Sequence, residues 1–364
     1  MNEWKPKGLA TGIGSLPHST ADQALAMINK YFTRFPHWPQ LPQGEVREGF
    51  VEQSAYPLIA FGLAKVMSKP GENERLAFLM DQRSWTENLT EFYSQYLAAV
   101  EGDVAALDKF AFPRDGVQGF YAFLENLQHP KEEAGVRAQL LKGQVSGPIT
   151  VGFVMTDHER RAAYYHSDLR DVIVKTVELQ AKWQLQQLKA LGLPVLISID
   201  EPGIYACGLS THITLTKEMI QQDLRAIIDT IHQGGGLTGV HVCAGADWSI
   251  VLETEVDVLF LDTYEYFESL APYTEVLGKF LDRGGVVGWG IVPTSDKVHG
   301  ESVDNLFNKL QGQLEILVKR GLPVERLINQ ALITPSCGTG LLSLDTAQKI
   351  YVYTAGIAEK WNKL

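Results

Sequence analysis

Two residues near the middle of the chain, His241 and Cys243, have the types and the spacing to bind a metal ion. They lie in a short apolar segment, and on a β-strand residues i and i+2 point to the same side, about 6–7 Å apart. An imidazole and a thiolate at that spacing can chelate one zinc ion, which prefers nitrogen and sulfur donors in tetrahedral geometry. Cys337 is a candidate for the third ligand and Asp262 for the fourth.

Taken singly, each candidate has a simpler interpretation. A cysteine on a strand is usually a small buried apolar residue. The segment Asp200-Glu201-Pro202 can be a turn that starts a helix, and Gly14-Ser15 can be a turn from strand to helix. The metal hypothesis therefore depends on a fold that brings these residues to one place.

The pattern along the chain is a short apolar run followed by a longer helical stretch, repeated, which predicts a parallel sheet with crossover helices. Eight such units predict an α/β fold, a (β/α)8 TIM barrel formed as one domain over residues 1–364. Residues 45–138, between the second and third strands, are too many for a loop and predict an inserted helical subdomain. The predicted strands are 9–15, 38–44, 139–145, 195–200, 238–243, 256–262, 285–292 and 331–334.

The candidate residues collect at the carboxyl ends of these predicted strands. In a TIM barrel all these ends meet on one face, which is where active sites are built. We therefore expect them to share one site. Besides His241 and Cys243, they are Ile13, Gly14, Ser15, Asp200, Glu201, Asp262, Glu265 and Cys337.

Composition narrows the class of protein. The net charge of −11 argues against nucleic acid or an anionic membrane surface as the main partner. A chain of 364 residues can bury a large core without a structural metal, so a bound metal is expected to serve chemistry. Three cysteines, no apolar signal segment and no run near the roughly 18 apolar residues of a spanning helix predict a reducing, cytoplasmic compartment.

Five segments, in this order, resemble the C-terminal catalytic barrel of cobalamin-independent methionine synthase. That barrel belongs to a wider group with uroporphyrinogen decarboxylase and the corrinoid:thiol methyltransferases. The combination spans most of the chain and is more specific than any single segment. The segments are Ile13-Gly14-Ser15, Ser146-Gly147-Pro148-Ile149-Thr150, Ile199-Asp200-Glu201-Pro202, His241-Val242-Cys243 and Pro335-Ser336-Cys337-Gly338.

The resemblance implies a zinc site made of His241, Cys243, Cys337 and a carboxylate. In the family the carboxylate is a Glu that ends the strand after the His-x-Cys motif. This chain has Asp262 at that point, one methylene shorter, and Glu265 is the alternative ligand.

The resemblance also implies a site for an amino-acid substrate. Asp200 would contact the amino group, with Glu201 as a supporting partner. The Ile13-Gly14-Ser15 segment would contact the carboxylate, through the side chain or the backbone of Ser15.

The predicted function is zinc-dependent transfer of a methyl group to the thiol of a homocysteine-like acceptor, as in methionine biosynthesis. Zinc lowers the pKa of a thiol bound to it, so the acceptor would react as a thiolate. The complete methionine synthase has a second barrel that helps to bind folate, so the methyl donor stays open between a methyl-folate and a methylated corrinoid protein.

Two other functions share the barrel. A uroporphyrinogen decarboxylase-like enzyme needs arginines to hold several propionates, and residues 12–20 contain none. A zinc-binding barrel without catalysis is the other alternative.

Overall fold

The computed structural model describes residues 4–44, 48–68, 74–129 and 138–364. The strands are β1 (Leu9–Ala10), β2 (Ala64–Met67), β3 (Arg75–Phe78), β4 (Leu141–Ser146), β5 (Val195–Asp200), β6 (Leu237–Val242), β7 (Val258–Asp262), β8 (Val286–Val292) and β9 (Ala331–Pro335). Seven of them form one parallel sheet in the order β1-β9-β8-β7-β6-β5-β4, and β2 pairs with β3 in a separate antiparallel hairpin. The curled parallel sheet with its surrounding helices has the predicted TIM-barrel architecture.

The predicted second strand, 38–44, is wrong as a regular strand. Its place between β1 and β4 is taken by two isolated parallel bridges, Ser15 to Gln40 and His37 to Lys142. Three prolines fall between residues 36 and 42, and a proline has no N–H to donate to a ladder. The segment therefore closes the barrel with single contacts instead of a continuous ladder.

The other barrel strands lie within about two residues of their predicted positions, except that β1 is only two residues long. The strand β5 begins and ends as predicted, and every residue of β5 and β8 is buried. A parallel strand covered on both faces is mostly apolar along its length, and this pattern made both strands predictable from the sequence.

The helices alternate with the barrel strands, and several begin at a capping side chain. The Ser302 hydroxyl accepts a hydrogen bond from the Asn305 N–H, and the Ser343 hydroxyl accepts one from the Thr346 N–H. The helices are α1 (Ala21–Tyr31), α2 (Glu52–Ala60), α3 (Trp85–Glu101), α4 (Val104–Asp108), α5 (Gln118–Gln128), α6 (Pro148–Val154), α7 (Ser167–Lys189), α8 (Lys217–Gln233), α9 (Ser249–Leu252), α10 (Thr263–Leu270), α11 (Thr274–Asp282), α12 (Val303–Lys319), α13 (Val324–Asn329) and α14 (Leu344–Trp361).

The insertion between the second and third barrel positions holds α2 to α5, but it is not purely helical because it also contains the β2–β3 hairpin. It packs on α7 through aromatic rings: Trp183 lies 5.8 Å from Phe112 and 5.2 Å from Phe120, centroid to centroid. The buried Glu48 carboxylate accepts hydrogen bonds from the Gly119 N–H (2.7 Å) and the Leu41 N–H (2.9 Å). These contacts tie the insertion to the barrel. Residues 45–47 lie outside the described part of the chain.

The side chains that point into the barrel are polar at one end of its axis and apolar at the other. Toward the carboxyl ends the buried residues are polar, among them Ser198, Asp200 and His241. Below them is an apolar cluster, separate from the core between sheet and helices. That cluster is Leu9, Ile13, Phe35, Leu140, Leu196, Val258, Phe260, Val286 and Leu332.

None of the helices in the described ranges has the length and apolar character needed to cross a membrane.

Candidate metal centre

The structure brings His241, Cys243 and Cys337 together at the mouth of the barrel. Their ligand atoms, one ring nitrogen and two sulfurs, all lie within 4.8 Å of one another. His241 is on β6 and Cys243 directly follows it, while Cys337 is two residues beyond the end of β9. The two strands are separated by β7 and β8, so the closure of the barrel brings the second sulfur to the first.

The state of the His241 ring supports a metal at this point. Both ring nitrogens are buried, and no described residue forms a hydrogen bond with either. An unpaired buried polar atom costs about 1–3 kcal/mol, so such atoms normally have a partner. One nitrogen and two sulfurs are also the donors that zinc prefers. The residues present therefore fit a zinc ion.

His241, Cys243 and Cys337 shift one another's pKa values. Interaction with the neighbouring Cys337, together with that of His241, lowers the pKa of Cys243 well below its usual value. The same interaction between the two cysteines, together with burial, raises the pKa of Cys337. Burial disfavours protonation of His241, but Cys243 outweighs it and the pKa of His241 is raised. A divalent cation held by this group would favour the thiolate form of both cysteines.

The two carboxylates expected near the metal lie in different surroundings. Asp262 is buried, and its Oδ1 accepts a hydrogen bond from the Glu265 N–H at 2.9 Å, which caps α10. Burial raises the pKa of Asp262 to about 6, and the Cys243 charge adds to this rise. Glu265 is directed outward and pairs with Lys297, Oε1 to Nζ, at 2.6 Å. Within the described residues neither belongs to the three-residue group, but Asp262 is the one on which the charge of Cys243 acts.

Asp200 ends β5 next to His241, its partner in the β5–β6 ladder. It is buried, and the Ser198 hydroxyl donates to its Oδ1 at 2.8 Å. In the described chain no group donates to Oδ2. Burial raises the pKa of Asp200, against the opposing charges of Lys142 and His241. One carboxylate oxygen is thus left for a ligand.

Glu201, predicted to bind substrate, has both oxygens occupied. Its Oε2 accepts from the Ile149 N–H (2.7 Å), its Oε1 accepts from the Thr150 N–H (2.8 Å), and the Thr150 hydroxyl also donates to Oε1. The side chain is fully buried, and burial raises its pKa to about 7. The structure places Glu201 behind the mouth, as the anchor of the first turn of α6.

The Ile13-Gly14-Ser15 segment is bonded to the loop that carries Cys337. The Ser15 carbonyl accepts from the Thr339 N–H (2.9 Å) and hydroxyl (3.0 Å), and the Ser15 hydroxyl accepts from the Gly340 N–H (3.2 Å). This predicted substrate segment therefore lies at the same mouth as the metal-ligand group.

Sequence analysis did not single out Lys142 and Gln144, two inward residues of β4. Lys142 is fully buried, and its Nζ donates to the Ile13 carbonyl at 2.5 Å. Gln144 donates through Nε2 to the Trp38 carbonyl at 3.1 Å, while its buried Oε1 has no partner in the described chain. The sequence did contain a pattern that predicts their inward position. Residues 142, 144 and 146 are all polar, which is the period-2 pattern of a strand with one polar face.

Gly290 on β8 allows the last loop to approach the site. A Cβ there would lie 2.4 Å from the Leu261 carbonyl oxygen and 3.0 Å from the Ser336 Cα, and both are backbone atoms. Gly290→Ala should therefore lower the free energy of unfolding by about 1–3 kcal/mol and weaken zinc binding, because Ser336 precedes Cys337. Urea unfolding and competition with a zinc chelator measure the two effects.

The matched control for that substitution is Gly312→Ala on α12, where a Cβ would meet nothing within 4 Å. Alanine in a helix is favoured over glycine, so this variant should be as stable as the wild type or slightly more so. If Gly290→Ala behaves like the control in both measurements, the close packing at Gly290 is not important for the site.

Comparisons with known proteins give a likeness of fold. A B12-independent methionine synthase from Shewanella sp. W3-18-1, solved in complex with selenomethionine, matches with a TM-score of 0.53 and 13% identity over 98% of this chain and 98% of that chain. The IOLI protein with a zinc atom gives a TM-score of 0.40 and 12% identity, over 97% and 99% of the two chains. The first match supports the barrel architecture, and the second is too distant to add to it. No protein-family profile and no curated protein matched the chain.

Proposed function

We propose that this protein is a zinc-dependent methyltransferase that transfers a methyl group to the thiol of a homocysteine-like acceptor. The observation that carries the proposal is the group of His241, Cys243 and Cys337, whose three ligand atoms lie within 4.8 Å of one another at the mouth of the barrel. The unpartnered nitrogens of His241 add to it. Zinc held by these three ligands would keep a position for the acceptor sulfur, and a fourth protein ligand would have to give up its position to that sulfur.

The chemistry that zinc supplies in such a site is a lower pKa for a thiol bound to it. The protein residues bind and orient the acceptor. Asp200 offers Oδ2 to an ammonium group, and the 13–15 segment lies beside it for a carboxylate. Asp262, buried next to Cys243, is the better candidate for a fourth protein ligand, because Glu265 already pairs with Lys297.

Chain length is compatible with a methionine synthase. The Shewanella protein is described as a B12-independent methionine synthase, and the match covers 98% of its chain and 98% of this one. A single barrel of this length therefore does not by itself argue against that activity or against a folate donor. A methylated corrinoid protein remains the alternative donor.

The test is a methyl-transfer assay of the zinc-loaded protein with homocysteine as acceptor. A methyltetrahydrofolate and methylcobalamin are supplied in separate reactions, and methionine is measured by mass spectrometry. We expect product with one donor and none with the Cys337→Ser variant. If the wild type binds zinc but forms no methionine with either donor, the proposal is wrong and a non-catalytic zinc-binding barrel is favoured.

A further inference from the structure

Lys142 is an ionisable group inside the barrel that the proposed function does not yet use. It is the second residue of β4, is fully buried, and its Nζ lies 5.8 Å from the centroid of the Phe260 ring. Burial lowers the pKa of Lys142 to about 8, and the charge of Asp200 opposes this fall. The side chain therefore places a cation in the interior, below the metal-ligand group.

Lys142 interacts with both parts of the proposed substrate site, the 13–15 segment and Asp200. Its Nζ donates to the Ile13 carbonyl at 2.5 Å, at the start of the Ile13-Gly14-Ser15 segment. Its charge acts on Asp200, but no ion pair within 4.0 Å joins these two described residues. Asp200 instead accepts from Ser198 on Oδ1. The two groups thus interact inside the barrel without forming a direct ion pair.

Stability of the fold does not explain a lysine at this position. Moving an ammonium group from water into an apolar interior costs several kcal/mol unless it is well paired, and apolar replacements of buried charges are often neutral or stabilising. The single hydrogen bond to a neutral carbonyl, the Phe260 ring and the more distant Asp200 offset only part of this cost. A ligand that needs the charge gives a reason for it.

We propose that Lys142 is a positioning residue that, with Asp200, makes the pocket complementary to the zwitterion of an α-amino-acid thiol. The Lys142 ammonium holds the 13–15 turn through the Ile13 carbonyl and places positive charge beside the carboxylate of the substrate. Asp200 faces the substrate ammonium through Oδ2. This inference rests on the proposed function, and it adds that recognition of the substrate carboxylate depends on a residue that does not touch it.

The experiment compares three thiols by calorimetric titration of the zinc-loaded protein. Homocysteine carries both charged groups, 4-mercaptobutanoate lacks the ammonium, and 3-aminopropane-1-thiol lacks the carboxylate. In Lys142→Met we expect Kd to rise by about tenfold or more for the first two and to change little for the third, because only they carry the carboxylate. Zinc content should stay at the wild-type level, and Tm should be unchanged or higher.

Two further variants separate the contributions. Lys142→Gln keeps a donor for the Ile13 carbonyl but removes the charge, so its Kd for homocysteine should lie between those of the wild type and Lys142→Met. Lys182→Met is the matched control. Its Nζ also donates to a backbone carbonyl, that of Ala99 at 2.8 Å, but on α7 outside the barrel. It should leave all three Kd values unchanged.

The outcomes distinguish this inference from the function on which it rests. If the wild type binds homocysteine and Lys142→Met binds it equally well, or weakens all three thiols alike, the inference is wrong and the proposed function stands. Loss of folding in both Lys142 variants would make Lys142 a structural residue and also overturn the inference. If the zinc-loaded wild type binds no thiol, both proposals fail.

Discussion

Replacing Cys243 or Cys337 by serine should remove most of the bound zinc and abolish methyl transfer, while the fold persists. A serine hydroxyl stays protonated at neutral pH and is a poor zinc donor compared with a thiolate. We expect zinc to fall from about one ion per chain to less than about a tenth. The barrel has a large apolar core of its own, so Tm of each variant should match that of the metal-free wild type.

Elemental analysis of the purified proteins measures zinc directly, and Cys207→Ser is the matched control. Cys207 is the third cysteine and lies outside the group, with its sulfur 3.8 Å from the Leu215 carbonyl oxygen. The control should keep its zinc. A metal-free wild type, or equal zinc in the wild type and in both ligand variants, would contradict the metal centre.

Competition with a zinc chelator distinguishes the two carboxylates. Asp262→Asn keeps an oxygen to cap α10 but replaces a charged ligand with a neutral one, so zinc affinity should fall. Glu265→Gln removes only the surface pair with Lys297 and should leave the affinity unchanged. The reverse result would make Glu265 the ligand.

Glu201→Ala should lower the free energy of unfolding by about 3 kcal/mol or more. The substitution leaves three donors without an acceptor, the N–H groups of Ile149 and Thr150 and the Thr150 hydroxyl, and it leaves a cavity. Gly147 is packed against this carboxylate so closely that a Cβ there would lie 2.2 Å from Oε2. Urea unfolding gives the change, and a loss below about 1 kcal/mol would show that the anchor is unimportant.

The pH dependence provides a second test of the Glu201 anchor. Burial raises the pKa of Glu201 from 4.5 to about 7, so the folded protein keeps a proton that the unfolded chain releases. The stability contributed by this proton is fully present below pH 4.5 and is lost as the pH rises through about 7. Unfolding free energy should therefore fall across this window, by at most about 1.4 kcal/mol per pH unit for this group.

Glu201→Gln does not titrate and should show a flatter profile than the wild type. Some slope should remain, because burial also raises the pKa of Glu48 to about 7. Identical slopes in wild type and variant would mean that Glu201 does not titrate in this range.

The barrel was predictable because its strands are buried on both faces. Segments such as 195–200 and 285–292 are mainly apolar runs followed by helical patterns, and local sequence is enough to reveal them. The second barrel position was not predictable in the same way. There the chain is held by one bridge to Ser15, beyond the end of β1, and one to Lys142 on β4, and such contacts depend on residues distant in sequence.

The candidate metal group was predictable in part. The i, i+2 spacing of His241 and Cys243 follows from strand geometry alone. Cys337 is far from both in the chain, and only the closure of the sheet puts its sulfur beside theirs.

The sequence determined which charged residues lie at the strand ends. The tertiary structure decided which of them face the site and which support the fold. Asp200 and Glu201 are adjacent acids, but successive strand residues point to opposite sides. One therefore faces the mouth with a free oxygen, while the other is buried behind it as an anchor. Lys142 is an unremarkable lysine in the sequence. Only the packing of the 13–15 segment against its side chain shows that Lys142 lies inside the barrel, since burial depends on neighbours that the local sequence does not contain.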